Sequence, residues 1–386
     1  MERKLIIMFI LLLLLSTSLA NGFPLFTQQI TQPENNFVSA SSLRSNTDNS
    51  FELSIPQPIQ KLSELLNTDP PFNFLFNPQN ITLEDDAYQN TSETPSTEWW
   101  YFDATLSEDH TVQFSIHLYD FYDMNFITLN LNIYHQGTAI VEYRTMYRFK
   151  TFEFSETIPL ILKNDDIIMK GEYDEKTDSL MYTLTYSTFN ASIDLHYQSI
   201  TQGWKGKTPA GGWAVPLPQA TVNGTIHYDD KTISVEGTGY HDHNWNVTVN
   251  AGLNFGWIWG KTTSPNYAIT WSNIMTTWFF GKPLLVVNQE NNGYYNIPTE
   301  ALNIAVTSIQ FKNGFIIPYG FIITAQTETI DIDLIITVKS TDYSSVLGII
   351  NYWRYHIHTS GSITVDHHTE EIDDHDIAEF IRFRFY

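Results

Sequence analysis

The sequence predicts an all-β protein built as two antiparallel β-barrels in tandem, and three observations carry that expectation. From about residue 94 onward apolar and polar residues alternate with period two, the spacing that sends successive side chains to opposite faces of a strand. Polar clusters at 174–178 and at Asp229-Asp230 separate such stretches at hairpin distances. The pattern persists for roughly 300 residues, more than one small barrel holds, and so many short strands call for closure to hide their edges.

Taken in order, the chain opens with Arg3 and Lys4, an apolar core at 5–15 and the small residues Ser18-Leu19-Ala20. This is the make-up of a secretory signal peptide cleaved after Ala20, and the apolar run is shorter than the roughly 20 residues of a bilayer crossing. Residues 21–93 are rich in Asn, Gln, Ser, Thr and Pro and read as a polar linker. Within it, Ile59, Leu62, Leu65 and Leu66 space a short amphipathic helix over 58–67. The first barrel is expected over 94–248. Its strands show in Val112, Phe114, Ile116 and Leu118; in Ile127, Leu129, Leu131 and Ile133; in Val141, Tyr143, Tyr147 and Phe149; in Leu180, Tyr182, Leu184 and Tyr186; and in the hairpin 222–240. The second barrel is expected over 249–386, with strands at 267–271, 284–288, 302–311, 315–326, 329–339, 352–365 and 377–385 and no helix.

An exported chain without cysteine has no disulfides to rely on, so a core must hold it, and 42% hydrophobic residues supply one. The formal net charge of −23 argues against nucleic acid and anionic membrane surfaces as partners. Asn80, Asn90, Asn190, Asn223 and Asn246 head N-x-S/T sequons, in a chain where Asn is common enough for such matches to arise by chance.

Three segments carry the candidate chemistry. The densest is 237–246, Gly-Thr-Gly-Tyr-His-Asp-His-Asn-Trp-Asn, at the end of a predicted strand. If the strand continues through it, Tyr240, Asp242 and Asn244 share one face, and His241, His243 and Trp245 the other. The alternative is a strand-end turn in which Asp242 and Asn244 cap backbone groups. His241-x-His243 also has a spacing that can ligate zinc, with more ligands conceivable in the acidic run 367–376. Nothing fixes a third ligand, so neither metal nor cofactor is assigned, and the run reads as a solvated loop. The second segment is Glu98-Trp99-Trp100-Tyr101-Phe102, in which Glu98, Trp100 and Phe102 face one way. Aromatic core packing is the plain reading for the tryptophans, whereas an acid among aromatics suits proton donation or the holding of a His or Arg. The third is Trp257-Ile258-Trp259-Gly260, preceded by Trp204, Trp213 and Pro216-x-Pro218. These indoles are either barrel core or an aromatic wall for a flat or polyene ligand, where their faces could stabilise a developing cation. The absence of a phosphate loop, a nucleophile elbow and an HExxH motif sets aside phosphoryl transfer, α/β-hydrolase chemistry and zincin proteolysis.

With these residues in place, the chain resembles the AttH-like, hydroxyneurosporene synthase (carotenoid 1,2-hydratase) family over roughly residues 94–386. The resemblance rests on Glu98 to Tyr101, on 237–245 and on 257–260, in that order and spacing. It implies two lipocalin-like barrels packed together around a hydrophobic ligand cavity, and members that hydrate carotenoids or act as pericyclases. Ser96 stands where members often carry His two residues before the acid, so the first motif holds no His–Glu pair of its own.

The expectation is therefore an exported protein that binds a hydrophobic small molecule, isoprenoid, polyene or lipid, and hydrates it. Asp242 would be the acid, Tyr240 would orient it, and His241 or His243 would serve the attacking water, with Glu98 as a further catalytic group. Trp100, Trp213, Asn244, Trp245, Trp257 and Trp259 would line the ligand. No obligate protein partner is expected. The rival expectation is a non-catalytic lipocalin-like carrier, or a cell-surface binding or structural protein, in which the same residues fix the joint between the barrels.

Overall fold

The computed structural model describes residues 76–91, 96–121, 124–208, 211–248, 256–277, 280–290, 292–346 and 350–382. The signal segment, its cleavage point and the helix expected over 58–67 lie outside the described residues. Apart from 3-10 turns at Leu83–Asp86, Phe149–Thr151 and Thr299–Ala301, the described residues contain no helix.

Two curled antiparallel sheets account for the rest. The first joins β1 (Gln79–Asn80), β2 (Ser96–Leu106), β3 (His110–Phe121), β4 (Met124–His135), β5 (Thr138–Arg148), β6 (Phe152–Phe154), β7 (Leu160–Lys163), β8 (Asp166–Asp174), β9 (Ser179–Ser187), β10 (Ala191–Ser199), β11 (Trp204–Thr208), β12 (Gly211–Tyr228) and β13 (Lys231–Thr248). Its order is β5-β4-β3-β2-β13-β12-β10-β9-β8-β7-β6, with β11 pairing β12 and β1 pairing β11. The second joins β14 (Gly256–Thr263), β15 (Tyr267–Thr277), β16 (Phe280–Gln289), β17 (Tyr294–Asn296), β18 (Leu302–Lys312), β19 (Phe315–Gln326), β20 (Ile330–Val346), β21 (Ile350–Val365) and β22 (His368–Arg382), in the order β17-β16-β15-β14-β22-β21-β20-β19-β18. In both, a chain of near-neighbour hairpins is closed by the pairing of its earliest long strand with its last, β2 with β13 and β14 with β22. These are tandem lipocalin-like barrels in curled-sheet form, since β5 and β6, and likewise β17 and β18, end their paths without pairing each other.

Each sheet wraps its own apolar core, as the period-two pattern requires. Phe114, Ile116, Leu129, Leu131, Leu184 and Leu195 fill the first, and Trp271, Phe321, Leu334, Trp353, Tyr355 and Phe380 the second. A third cluster lies between the sheets and belongs to neither interior. It unites Tyr101, Trp213 and Tyr240 of the first sheet with Trp259, Ile274, Leu284 and Val286 of the second, and Phe76 from the segment before β1. Residues Phe74–Tyr386 accordingly form one compact unit.

Two local features differ from the sequence expectation. Residues 76–91, assigned by composition to the linker, are folded against the first sheet. Their 3-10 turn is held by a capping box between Thr82 and Asp85, and it drives Asp86 into complete burial. The acidic run after His367 is strand, not loop. Glu370, Asp374 and Asp376 point back onto Ser264 and Asn266, Thr262 and Thr263, and Lys261. An inward face that is itself polar hides the apolar–polar alternation by which strands are read.

Candidate functional site

β13 runs unbroken through the decapeptide. His241 lies opposite Phe102, Asp242 opposite Tyr101, His243 opposite Trp100 and Asn244 opposite Trp99, and the register slips only after Asn244. The pleat therefore splits the segment into two sites, one inside the first sheet and one between the sheets. Its glycines are spacing devices: a Cβ on Gly239 would lie 2.5 Å from both Tyr197 and Val222, too close for any side chain. Opposite, Gly212 of β12 leaves room for the Trp245 ring, which a Cβ would meet at 2.2 Å. Pro216 and Pro218 fall where the register of β12 against β13 shifts, consistent with their missing amide hydrogens.

Inside the first sheet, His241 and His243 are fully buried beside Asp86 and Glu98. His241 is stacked on Phe102 at 3.8 Å and His243 on Trp100 at 4.5 Å. His241 Nδ1 lies 2.8 Å from the Tyr101 carbonyl, and its Nε2 lies 3.0 Å from Asp86 Oδ2. Both ring nitrogens thus face oxygen atoms, which fixes the ring in place. Asp86 Oδ2 also accepts from the Tyr182 hydroxyl at 2.7 Å, and the Trp100 indole donates to the Asp86 carbonyl at 2.9 Å. His243 Nε2 is 2.9 Å from Glu98 Oε1, which takes the Gln89 amide as well at 2.8 Å. Glu98 thereby gains from β13 the histidine that its own motif lacks. This network pins the 76–91 segment to β2 and β13. Trp245 closes it from one side, 5.1 Å from His243.

The opposite face of β13 looks into the joint. Asp242 is buried, and its Oδ2 accepts from Tyr240 at 2.9 Å and from the Trp213 indole at 3.1 Å, with Asn244 Nδ2 at 3.3 Å from Oδ1. Burial pushes the Asp242 carboxyl well above the usual carboxylate range, against the lowering pull of those donors. Oδ2 already serves two strong donors, so Oδ1 is the oxygen that can carry the proton. Burial likewise raises the phenols of Tyr101 and Tyr240, which remain protonated donors. The Trp259 ring stands 5.0 Å from Tyr240 and 5.7 Å from Tyr101.

A charged array completes the joint. Lys261, two residues beyond Trp259 and on the same face, lies 3.0 Å from Asp103 and is hydrogen-bonded to Asp376. Desolvation works to strip its ammonium, but Asp103 and Asp376 outweigh that and raise it above the ordinary lysine value. Burial pushes both carboxyls up, against the lowering pull of the one ammonium they share. Beside them Arg354 donates to Tyr134 at 2.9 Å, to Tyr352 at 2.5 Å and to Glu379 at 3.3 Å.

The structure therefore gathers Tyr240, Asp242, Asn244, Trp213, Trp257 and Trp259 at the joint, and Glu98, Trp100, His241, His243 and Trp245 in or beside the first interior. His241 and His243 cannot act on a water that Asp242 activates, because strand alternation puts them behind the sheet from it. Sequence reasoning missed Asp86, whose segment shows no periodicity, and Asp103, Lys261, Arg354 and Glu379, and it placed Asp376 in a solvated loop. Asp103 and Lys261 were within reach, since period-two counting from Tyr101 and Trp259 arrives at both.

No protein-family model and no curated protein matches this sequence. The fold does match solved structures: an AttH protein of Nitrosomonas europaea at 12% identity and TM-score 0.56, covering 79% of this chain and 98% of that one. The chain has the AttH fold. Kievitone hydratase of Nectria haematococca shares it at 12% identity and TM-score 0.52, over 79% of this chain and 94% of its own. CghA, solved with Sch210972, shares it at 8% identity and TM-score 0.51, over 81% and 99%.

Proposed function

We propose that this protein is an exported enzyme that holds a small molecule in the joint between its sheets and protonates an unsaturated carbon from Asp242, with water addition as the reaction. The observation that carries this reading is Asp242 itself, a carboxyl pushed toward its acid form by burial and fixed on one oxygen by Tyr240 and Trp213. An acid near neutral pH needs that kind of tuning. In the step proposed, the Oδ1 proton passes to one alkene carbon while the electron pair of the double bond forms the new C–H bond. Water oxygen then bonds to the neighbouring cationic carbon, and the proton it sheds returns to the Asp242 carboxylate. Indole and phenol faces of Trp259 and Tyr101 would stabilise the cation. Two structural neighbours support the class: one is named as a hydratase, and another was solved with a small molecule. The aromatic wall suits an apolar, conjugated body such as an isoprenoid or polyene, and Arg3, Lys4 and the apolar run after them support export.

The test is native mass spectrometry of the full chain from its own host, followed by turnover of the co-purified compound in D2O. A product one water heavier with deuterium on carbon is expected, and Asp242→Asn should abolish it. Undiminished turnover in that variant removes Asp242 as the acid. An isomer of unchanged mass would indicate pericyclic chemistry instead, and a compound returned unaltered would indicate a carrier.

A further inference from the structure

The N-x-S/T sequons at Asn80, Asn90, Asn190, Asn223 and Asn246 all lie in the strands of the first sheet, their turns or the segment folded onto them, and residues 249–386 hold none. The fold gives these asparagines different surroundings. Asn246 sits where the register of β13 against β2 slips, in the left-handed region at φ 54°, with its side-chain oxygen buried. Its backbone closes on Gly211, where a Cβ would come within 3.0 Å of the Asn246 carbonyl oxygen. Asn90 donates its Nδ2 to Glu156 at 2.8 Å, and Asn80 takes the Tyr294 hydroxyl at 3.2 Å. Those two side chains help to tie residues 76–91 to the sheets.

Asn190 and Asn223 stand free of such duties. Asn190 is at the tip of the β9–β10 hairpin, in a four-residue turn, 188–191, that Thr188 locks. The Thr188 amide donates to the Ala191 carbonyl at 2.7 Å, and its hydroxyl donates to that carbonyl at 2.9 Å and accepts the Ala191 amide at 3.0 Å. The two middle residues are left in solvent: Phe189 is 99% exposed, and Asn190 beside it is exposed as well. Asn223 lies within β12 on the face opposite that of the core residue Val222, flanked across the sheet by the exposed His196 and Glu236. Neither Nδ2 donates a hydrogen bond among the described residues.

We propose that Asn190 and Asn223 carry N-linked oligosaccharides, that the sugar on Asn190 covers the Phe189 ring, and that Asn246 stays bare. This rests on the reading that the chain is exported. In the step proposed, the asparagine Nδ2 bonds to the anomeric carbon of an oligosaccharide carried on a lipid pyrophosphate. The bond from that carbon to the pyrophosphate oxygen breaks, the amide gives up one proton, and the lipid pyrophosphate leaves. The hydroxyls of Ser192 and Thr225 complete the two sequons. A linked sugar is bulky and hydrated, so the folded chain accommodates it only at the surface, which the hairpin tip and the outer face of β12 both provide. At the tip, the C–H face of the first sugar has a phenyl ring beside its point of attachment, and lying on that ring removes apolar area from water.

The test uses the full chain recovered from its own host. Release of the sugar by peptide N-glycosidase in heavy-oxygen water turns each occupied asparagine into labelled aspartate. Peptide mapping against an enzyme-free control should find the label at 190 and 223 and none at 246. Asn190→Gln and Asn223→Gln should each remove one glycan's shift in gel mobility. After release, the folded wild type should bind more of a hydrophobic dye, and Phe189→Ser should abolish that gain. An unchanged dye signal on release overturns the covering of Phe189. A mature chain, cut near Ala20, that is bare at 190 or labelled at 246 overturns the site assignment while export stands. A chain that keeps residues 1–20 and carries no sugar overturns the export reading together with the proposal.

Discussion

The two faces of β13 share a strand, a depth of burial and a density of ionisable groups, yet they are organised in opposite ways. On the inner face, the imidazoles of His241 and His243 meet the carboxylates of Asp86 and Glu98, which also take the Tyr182 hydroxyl and the Gln89 amide, while His243 Nδ1 and Asp86 Oδ1 stand 3.5 Å apart without a hydrogen bond. On the outer face, Asp242 is clamped by the neutral donors Tyr240 and Trp213, and Asp103 and Asp376 share the Lys261 ammonium. The difference teaches how to tell a strut from a site. A buried carboxylate met by imidazoles and a backbone amide ties segments of the chain together, whereas one met only by phenol, indole and amide donors is pushed toward its acid form and can give a proton up.

The comparison breaks first at Asp242. Asp242→Asn should lower turnover by about a hundredfold or more. Below about pH 4, where the aspartate is neutral in the folded chain, unfolding free energy should shift by no more than about 1 kcal/mol, since the amide oxygen can still accept from Tyr240 and Trp213. Turnover assays and urea unfolding on the same preparation check both halves. Asp86→Ala should do the reverse on stability, costing about 3–5 kcal/mol by stranding His241 and Tyr182 in a dry interior. A small change in its urea midpoint would mean that the inner network is no strut.

The pH dependence sharpens the contrast. Asp242 has a folded-state pKa raised above the roughly 3.9 of an unfolded aspartate. The folded chain therefore holds this proton more tightly. The stability it contributes is fully present below about pH 4 and is lost as pH rises through the folded-state pKa. Urea midpoints measured from acid toward neutral pH should fall more steeply in the wild type than in Asp242→Asn. Parallel profiles would show that Asp242 is not held protonated. The smallest effect is expected at the partly exposed pair Lys205–Asp85, which also ties the 76–91 segment to the first sheet. Lys205→Ala should cost less than about 1 kcal/mol in urea unfolding, and a larger loss would mean that the segment is anchored from outside rather than through Asp86.

Much of this was legible in advance because strand chemistry repeats every two residues. The alternation at Val112 to Leu118 and at Ile127 to Ile133 announced β3 and β4, and the same rule divided 240–245 between two faces correctly. It failed where an inward face is polar. Glu370, Asp374 and Asp376 carry no apolar rhythm, and Asp86 sits in a stretch with none at all.

The sequence by itself determined the fold class, the strand through the decapeptide and which side chains share each face, because these follow from local backbone geometry. Only the tertiary structure decided what each face meets. Asp86 reaches His241 across 155 positions and Lys261 reaches Asp376 across 115, and no local period encodes such separations. The packing of the second sheet against the first is what desolvates Asp242 among indoles and charges, and its raised pKa is a property of that joint rather than of the residues around it in the chain.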